Sequence, residues 1–301
     1  MVGRAVSAEL LAVVVAMVEG QPCALTLGDP SRLPAGPLMP GHHSLQAATR
    51  AWVEEQTGRA LGYLEQLYTF VDLDRAEDTA HSLSVSYLGL TTPTTDAGIG
   101  RWHRWYDLLP WEDRRASARL PGSVEPALAA WAGGRPDVAD QRQRRCAVTF
   151  GLRGQPWQPD LVLQRYELLY EVGLVPESPP QWRLPEDELV AGERMLGDHR
   201  RVLATGLARL RAKIQYRPVV FELMRPEFTL RQLQDCVEAL AGTPVHTQNF
   251  RRLVEQQDLV EETGRLDATT GGRPARLYRF RREVLQQRHE AGTKLPLPRV
   301  R

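Results

Sequence analysis

The stretch LPAGPLMPGHHSLQAATRAWVEEQTG, from Leu33 to Gly58, joins a loop rich in Pro and Gly to a clearly patterned helix. Ser44 precedes the first apolar residue of that pattern and suits the N-cap position, and Gly58 suits the position that ends the helix. The pattern therefore predicts an amphipathic helix whose apolar side is formed by Leu45, Ala48, Trp52 and Val53.

The chain has 301 residues, of which 42% are apolar and 25% charged, so its composition is that of a globular protein with room for two domains. The apolar run LLAVVVAMV is followed by EGQPCALTLG, which predicts two strands and a turn rather than a leader peptide. No segment approaches the roughly 20 apolar residues of a membrane helix. Three distant cysteines offer neither a disulfide framework nor a soft-metal site, so we expect a cytoplasmic protein: Cys23, Cys146 and Cys236.

The net charge of +1 hides an uneven distribution along the chain. Residues 200–301 contain 20 Lys and Arg against 11 Asp and Glu, whereas the first 199 residues contain 18 against 26. A basic segment joined to an acidic one indicates an anionic partner, nucleic acid or a membrane surface, at the basic end.

Two segments, 91–100 with its Thr, Pro and Gly and 176–187 with its four Pro, divide the chain into a strand-rich part, a Trp-rich middle and a helical basic tail. In the middle part, DLVLQRYELLYEVG predicts a helix with Asp160 as N-cap and Gly173 as its end. The tryptophans there are typical of a core, with stacking on bases as the alternative. A longer helix is predicted from Pro185 to Ile214, which either links domains or pairs with its twin in a dimer.

The tail contains FTLRQLQDCVEALAGTPVHTQNFRRLVEQQDLV, which predicts two short helices. Thr229 and Gln232 fit a capping box at the start of the first helix, and Thr247 is the expected N-cap of the second. The second helix has an apolar inner face of Phe250, Leu253 and Val254. Its outer face is polar: Gln248, Asn249, Arg251, Arg252 and Glu255.

Helix, turn, helix and then two strands around a glycine-bearing tip is the order of a winged helix-turn-helix. Gln and Asn can bond adenine, and Arg can bond guanine or phosphate, whereas the alternative is a merely solvated helix face. The basic strands and their tip favour DNA binding, with the wing on backbone phosphates. The candidate DNA-binding residues are Thr247, Gln248, Asn249, Arg251, Arg252, Arg273 and Arg276.

The opening stretch resembles a Nudix box, G-x5-E-x7-R-E-U-x-E-E-x-G with U apolar, aligned on Gly58 with Gly36 as the opening glycine and one extra loop residue. In that pattern, glutamates on one side of a helix hold Mg²⁺ on a diphosphate. Val53 and Glu55 keep the pattern. Four positions depart from it, so the resemblance implies neither a catalytic residue nor a metal: His43 and Trp52 for Glu, Ala51 for Arg, and Gln56 for the second paired Glu.

The box together with RAWVEEQTG, LGYLEQLYTF, WYDLLPWED, LVLQRYELLYEVGLVPE, RPVVFELM, FTLRQLQ and GRPARLYRF resembles the Nudix-related, NrtR-like transcriptional regulators of NAD metabolism, in their alphaproteobacterial branch. The resemblance covers residues 10–280. It implies an α+β protein: a Nudix-like α/β/α sandwich over residues 1–184, a linker or dimerisation helix over 185–215, a winged helix-turn-helix over 216–285 and a flexible tail over 286–301.

The same resemblance implies a homodimeric repressor of NAD genes on a palindromic operator, with ADP-ribose, NAD or ATP as effector and no bound cofactor. For the effector we expect a cleft beside the box helix, formed by His43, Arg50, Glu55, Tyr68, Phe70 and Tyr87. Two alternatives are an active Nudix pyrophosphatase with an accessory DNA-binding domain, and an RNA-binding or structural adaptor, which the tail's lack of an aromatic stacking strip disfavours.

Overall fold

The structure is a computed structural model that describes residues 7–72, 82–93, 98–117, 119–190, 192–267 and 274–281. Within these ranges, a mixed sheet of six strands forms the centre of the N-terminal domain, in the order β4-β5-β1-β2-β6 with β3 also paired to β1. Only the pairing of β1 with β5 is parallel. The strands are β1 (Ser7–Val18), β2 (Gln21–Thr26), β3 (Ala35–Pro37), β4 (Tyr63–Asp72), β5 (Ser82–Leu90) and β6 (Arg101–Arg104).

Helices cover both faces of this sheet, as in the predicted α/β/α sandwich. On one face lies α1 (Leu45–Thr57), which begins at the Ser44 cap and ends at Gly58, as predicted. On the other lies α6 (His199–Ile214), whose Gly206 approaches Val13 so closely that a Cβ there would come within 2.8 Å of the Val13 side chain. Since β1 is buried on both faces, its apolar run is continuous.

The Trp-rich middle packs beside α6 as a set of short helices. Trp105 and Trp111 are almost fully buried, in agreement with a core role. Gly173 ends α5 in the left-handed conformation, as predicted, but α5 begins at Val162 after Leu161, so the prediction of Asp160 as N-cap was wrong. The helices are α2 (Trp105–Leu108), α3 (Val124–Gly133), α4 (Ala139–Phe150) and α5 (Val162–Val172).

The long helix predicted from Pro185 is much shorter in the structure. A single 3₁₀ turn spans Glu186–Glu188, and α6 starts only at His199. Two glycines explain the difference, because Gly192 and Gly197 have φ values of +145° and +50°, which an α-helix cannot accommodate. The helix that remains is buried against the sheet and is part of the N-terminal domain; its role in a dimer stays a prediction.

The C-terminal domain contains α7 (Leu230–Ala241), α8 (Thr247–Gln256) and a hairpin of β7 (Val260–Asp267) and β8 (Ala275–Phe280). The capping box of Thr229 and Gln232 is present. Thr247, however, is the first residue of α8 and His246 precedes it as N-cap, so that prediction was wrong by one residue. The reason is a competing bond, because the Thr247 hydroxyl accepts from the Gln234 amide at 3.1 Å.

Three features predicted from the sequence lie outside the residues that the structure describes. They are Arg273, most of the glycine-bearing tip of the hairpin and the tail from 286 to 301. Among the helices within the described ranges, none is long and apolar enough to span a membrane.

Candidate ligand cavity and nucleic-acid interface

The box helix α1 binds the preceding loop through two side chains that replace glutamates of the Nudix pattern. The Trp52 ring lies directly on Gly36, where an added Cβ would come within 2.3 Å of the indole, and its Nε1 donates to the Pro37 carbonyl at 3.1 Å. Gln56 bonds the backbone of Ala35 in both directions, accepting from its N–H at 3.2 Å and donating to its carbonyl at 2.6 Å. Positions 52 and 56 therefore fasten the helix to β3.

The Nudix pattern implies divalent metal ions at this helix, but the residues present do not fit them. An indole replaces one carboxylate, and the amide of Gln56 is already satisfied by backbone groups. Glu55 is the carboxylate that remains from the paired positions, and it is exposed. A hard cation needs about six oxygen ligands in a defined geometry, which this set cannot supply.

The six residues predicted to bind the effector do not converge on one cleft. His43 and Glu55 are exposed on the α1 side, whereas Arg50 is occupied by the carbonyls of Leu61 and Gly62. Tyr87 is 1% exposed and packs beneath α1, so its ring is part of the core.

Tyr68 and Phe70 lie on the opposite face of the sheet from Tyr87. The guanidinium of Arg209, on α6, lies 5.9 Å from the Tyr68 ring centre, and that of Arg201 lies 5.2 Å from the Phe70 ring centre. The sheet itself therefore separates these two rings from the box helix.

A cavity that the sequence analysis missed opens at the β6 edge of the sheet, with a volume of about 550 Å³. The end of β2, the turn at 28–31, the start of β6 and the segment at 193–194 enclose it. These residues come from two turns and an irregular segment, so no motif in the sequence could indicate it. The polar residues that line it are Thr26, Asp29, Ser31, Arg101, His103, Glu193 and Arg194.

A buried polar pair forms the floor of this cavity. His103 is 4% exposed, and its Nδ1 lies 2.5 Å from the hydroxyl of Thr26, which donates to the carbonyl of Arg101 at 3.2 Å. The other ring nitrogen, Nε2, lies 3.2 Å from Glu193 Oε2 in a direction that makes no hydrogen bond. Burial and the nearby Arg101 charge lower the pKa of His103, with Glu193 opposing them.

The cavity also contains two arginine side chains that are not paired within the described part of the protein, and the carboxylates of Asp29 and Glu193 in its lining match them in number. The side chains of Arg101 and Arg194 are exposed, and neither makes a hydrogen bond or ion pair with another described residue. An arginine fork that has no internal partner is suited to a carboxylate or phosphate from outside.

A buried ionic cluster joins the two domains. Glu112 is fully buried and bonds Arg165 at 2.6 and 2.9 Å and also bonds Arg211, which is equally buried. Burial opposes ionisation, but the two guanidinium groups hold the pKa of Glu112 below its usual range. The cluster is therefore ionised at neutral pH and is satisfied on all sides.

The same cluster binds the C-terminal end of α7. Arg211 Nε donates to the Leu240 carbonyl at 2.9 Å, the Tyr106 hydroxyl donates to the Ala239 carbonyl at 2.5 Å, and the Arg114 N–H donates to the Gly242 carbonyl at 2.7 Å. A Cβ on Gly242 would come within 2.3 Å of the Glu112 carbonyl oxygen. The first helix of the C-terminal domain is thus bonded directly to the N-terminal domain.

The outer face of α8 is presented to solvent as predicted. Phe250 and Val254 are buried beneath it, whereas its polar side chains make no hydrogen bond or ion pair within the described residues: Gln248, Asn249, Arg251 and Arg252. On the hairpin, Arg276 is paired with Glu262 at 2.7 Å. The side chains on this face of α8 are therefore free to bond groups outside the described protein. Arg276 can do so only after its ion pair with Glu262 breaks.

Known proteins resemble this chain in sequence and in fold. Residues 220–280 match the NrtR DNA-binding winged helix domain. This part of the chain is NrtR-like. This match covers α7, α8 and the hairpin, and so confirms the predicted resemblance and the winged helix-turn-helix.

A curated relative, the ADPR-responsive transcriptional repressor NtrR of Acinetobacter baylyi, is 40% identical over 83 residues. That alignment spans 28% of this chain and only 33% of the relative. The response to ADPR that its name states is therefore a property of that relative.

Two solved structures share the fold over more than nine tenths of the chain. NrtR of Shewanella oneidensis, in complex with a 27mer DNA, is 20% identical with a TM-score of 0.56 and covers 92% of this chain and 95% of its own. A MutT/nudix family protein from Enterococcus faecalis is 14% identical with a TM-score of 0.54 and covers 93% and 88%. The predicted Nudix-like domain followed by a winged helix is therefore confirmed as the NrtR-like fold.

Proposed function

We propose that the protein is a DNA-binding transcriptional repressor of genes for NAD synthesis or salvage, whose Nudix-like domain senses a nucleotide and does not hydrolyse it. The observation that carries the proposal is the unpartnered polar face of α8 on an NrtR-like winged helix domain. Gln, Asn and Arg side chains at the start of such a helix can read base edges in the major groove. Such a repressor acts on chromosomal DNA in the cytoplasm.

The operator is palindromic in this proposal, because a two-fold homodimer presents two copies of α8. Two recognition helices then meet half-sites about 34–36 Å apart, or a multiple of that distance. The effector is ADP-ribose or NAD, with ATP as the third candidate. It releases DNA only if it binds more tightly to the arrangement that does not fit the operator.

The buried cluster around Glu112 supports the coupling of the two activities. It bonds α7 to α6 and to the Trp-rich middle through groups with no exposure to water. A shift of α6 in the sensing domain therefore acts directly on the helix that supports α8.

Fluorescence anisotropy of the full chain on DNA from upstream of its own operon tests the proposal. We expect binding that weakens when ADP-ribose or NAD is added, and no comparable binding to unrelated DNA at the same salt concentration. Equal binding to both DNAs would contradict specific repression.

The alternative function is an active Nudix pyrophosphatase, which would release AMP from ADP-ribose with Mg²⁺. Trp52 and Gln56 oppose it, because both occupy carboxylate positions with groups that bond the protein's own backbone. Incubation of the chain with ADP-ribose and Mg²⁺, followed by chromatography for AMP, distinguishes the two. We expect intact ADP-ribose; AMP formation that disappears in Glu55→Gln would establish the alternative.

A further inference from the structure

We propose that the cavity at the β6 edge binds the diphosphate of the nucleotide effector, with Arg101 and Arg194 as its phosphate ligands. The inference rests on the proposed function, which says that a nucleotide is sensed, and adds where and by which groups it is held. It moves the site from the box helix to the far edge of the sheet.

Charge is the first argument. A Nudix domain with its full box neutralises a diphosphate with metal ions, and this chain lacks the carboxylates for them. Cationic side chains must supply that charge instead. Arg50, the cation of the box helix, is occupied by the Leu61 and Gly62 carbonyls. Arg101 and Arg194 have no such partner among the described residues, and both line one cavity.

Size and polarity are the second argument. A cavity of about 550 Å³ falls within the range of small-molecule sites, roughly 300–1,000 Å³. Asp29 and Glu193 also line the cavity, and carboxylates commonly accept hydrogen bonds from ribose hydroxyls. A ligand with a diphosphate between ribose groups therefore matches both the arginines and the carboxylates.

The position of the cavity relative to α6 is the third argument. The turn at 28–31 is bonded to the segment after Arg194, because the Leu196 N–H donates to the Ser31 carbonyl at 2.9 Å. Three residues later α6 begins at His199, whose Nδ1 accepts from the Leu33 N–H at 3.0 Å. A ligand held by Arg194 thus contacts the segment that leads into α6, whose other end carries Arg211.

Isothermal titration of ADP-ribose into the full chain tests the site with Arg101→Ala, Arg194→Ala and the double variant. Since each removes charged hydrogen bonds, we expect an affinity about 10- to 100-fold lower for each single variant and lower still for the double. Arg144→Ala is the matched control, because Arg144 is an exposed arginine on α4 that does not line the cavity. We expect it to bind as the wild type does.

The outcomes separate the site from the function. If the wild type binds ADP-ribose and both cavity variants bind like Arg144→Ala, the cavity is not the diphosphate site, although a nucleotide is still sensed. If the wild type gives no heat with ADP-ribose, NAD or ATP, nucleotide sensing itself is wrong and the site falls with it. Partial recovery of affinity in Arg194→Lys, which keeps the charge but loses the fork, would support a direct phosphate contact.

Discussion

The helices α1 and α8 are both short and amphipathic, yet their polar side chains are used in opposite ways. On α1, Arg50, Trp52 and Gln56 bond carbonyl or N–H groups of the neighbouring backbone. On α8, Gln248, Arg251 and Arg252 are exposed and bond nothing else in the described part of the protein. A polar group satisfied inside the protein contributes to stability, whereas one held ready on a rigid helix contributes to binding.

This difference revises the interpretation of the box helix. Residues that depart from a catalytic pattern can be relics, new ligand contacts or structural bonds. At positions 52 and 56 the structure shows structural bonds, because the side chains fill the space and the hydrogen-bonding positions beside β3. The comparison therefore predicts that substitutions of the backbone-bonded side chains on α1 lower stability and that substitutions on the polar face of α8 lower DNA affinity.

The largest effect is expected where the two domains that carry these helices meet. Glu112→Gln leaves Arg165 and Arg211 buried without a compensating charge, and breaking a buried ion pair costs roughly 3–5 kcal/mol of the free energy of unfolding. Urea denaturation measures the loss. Glu54→Gln, at an exposed position of α1, is the control. Equal urea midpoints for the two variants would contradict a stabilising role of the buried cluster around Glu112.

Acid should weaken the same buried cluster in the wild type. The folded-state pKa of Glu112 is depressed, so its contribution is present above its unfolded pKa, about 4.3, and is lost as the pH falls through the folded value. We expect stability to fall less steeply with acid in Glu112→Gln than in the wild type, as measured by urea midpoints at several pH values.

The next effect concerns α1 itself. Trp52→Ala removes the indole that lies on Gly36 and is expected to lower the free energy of unfolding by about 3 kcal/mol. Thermal unfolding checks this against Trp182→Ala, because Trp182 is 49% exposed and should cost far less. Equal losses from both would show that Trp52 contributes no more than a surface tryptophan.

The parts of the fold with local signals could be predicted from the sequence. The caps at Ser44, Gly58 and Thr229 are set by the residue itself and its near neighbours, and the structure has them as predicted. The predictions of Thr247 as an N-cap and of a helix from Pro185 were wrong, because tertiary contacts decide both. Gln234 competes for the threonine hydroxyl, and packing holds Gly192 in a non-helical conformation.

The candidate ligand site was harder to predict for a related reason. Tyr87 and Phe70 are both aromatic residues of adjacent strands, and only strand pairing, with the bulge in β4, decides which face each one occupies. The cavity needs Thr26, Arg101 and Arg194, which are far apart in sequence and share no spacing. The exposed polar face of α8 was predictable because all of its members lie within two turns of one helix.

Arg251→Ala is the direct test of the α8 half of the comparison. If Arg251 reads a base, operator affinity should fall by roughly 1–3 kcal/mol and specificity at one base pair should relax, while the thermal midpoint stays unchanged. Anisotropy with single-base operator variants measures both effects, with Arg144→Ala as control. A loss of stability instead would place Arg251 in the same class as the α1 side chains.

The smallest effect is expected at the wing, where Arg276 combines both kinds of behaviour. Its guanidinium is exposed like that of Arg251 but is already paired with Glu262 at 2.7 Å. Arg276→Ala should therefore reduce the salt dependence of DNA binding by at most about one phosphate contact, equally on all sequences. Glu262→Gln should do the reverse, because it releases the arginine for phosphate. If both variants leave the slope of log affinity against log salt unchanged, Arg276 contributes only to the hairpin, and the comparison then places it with α1.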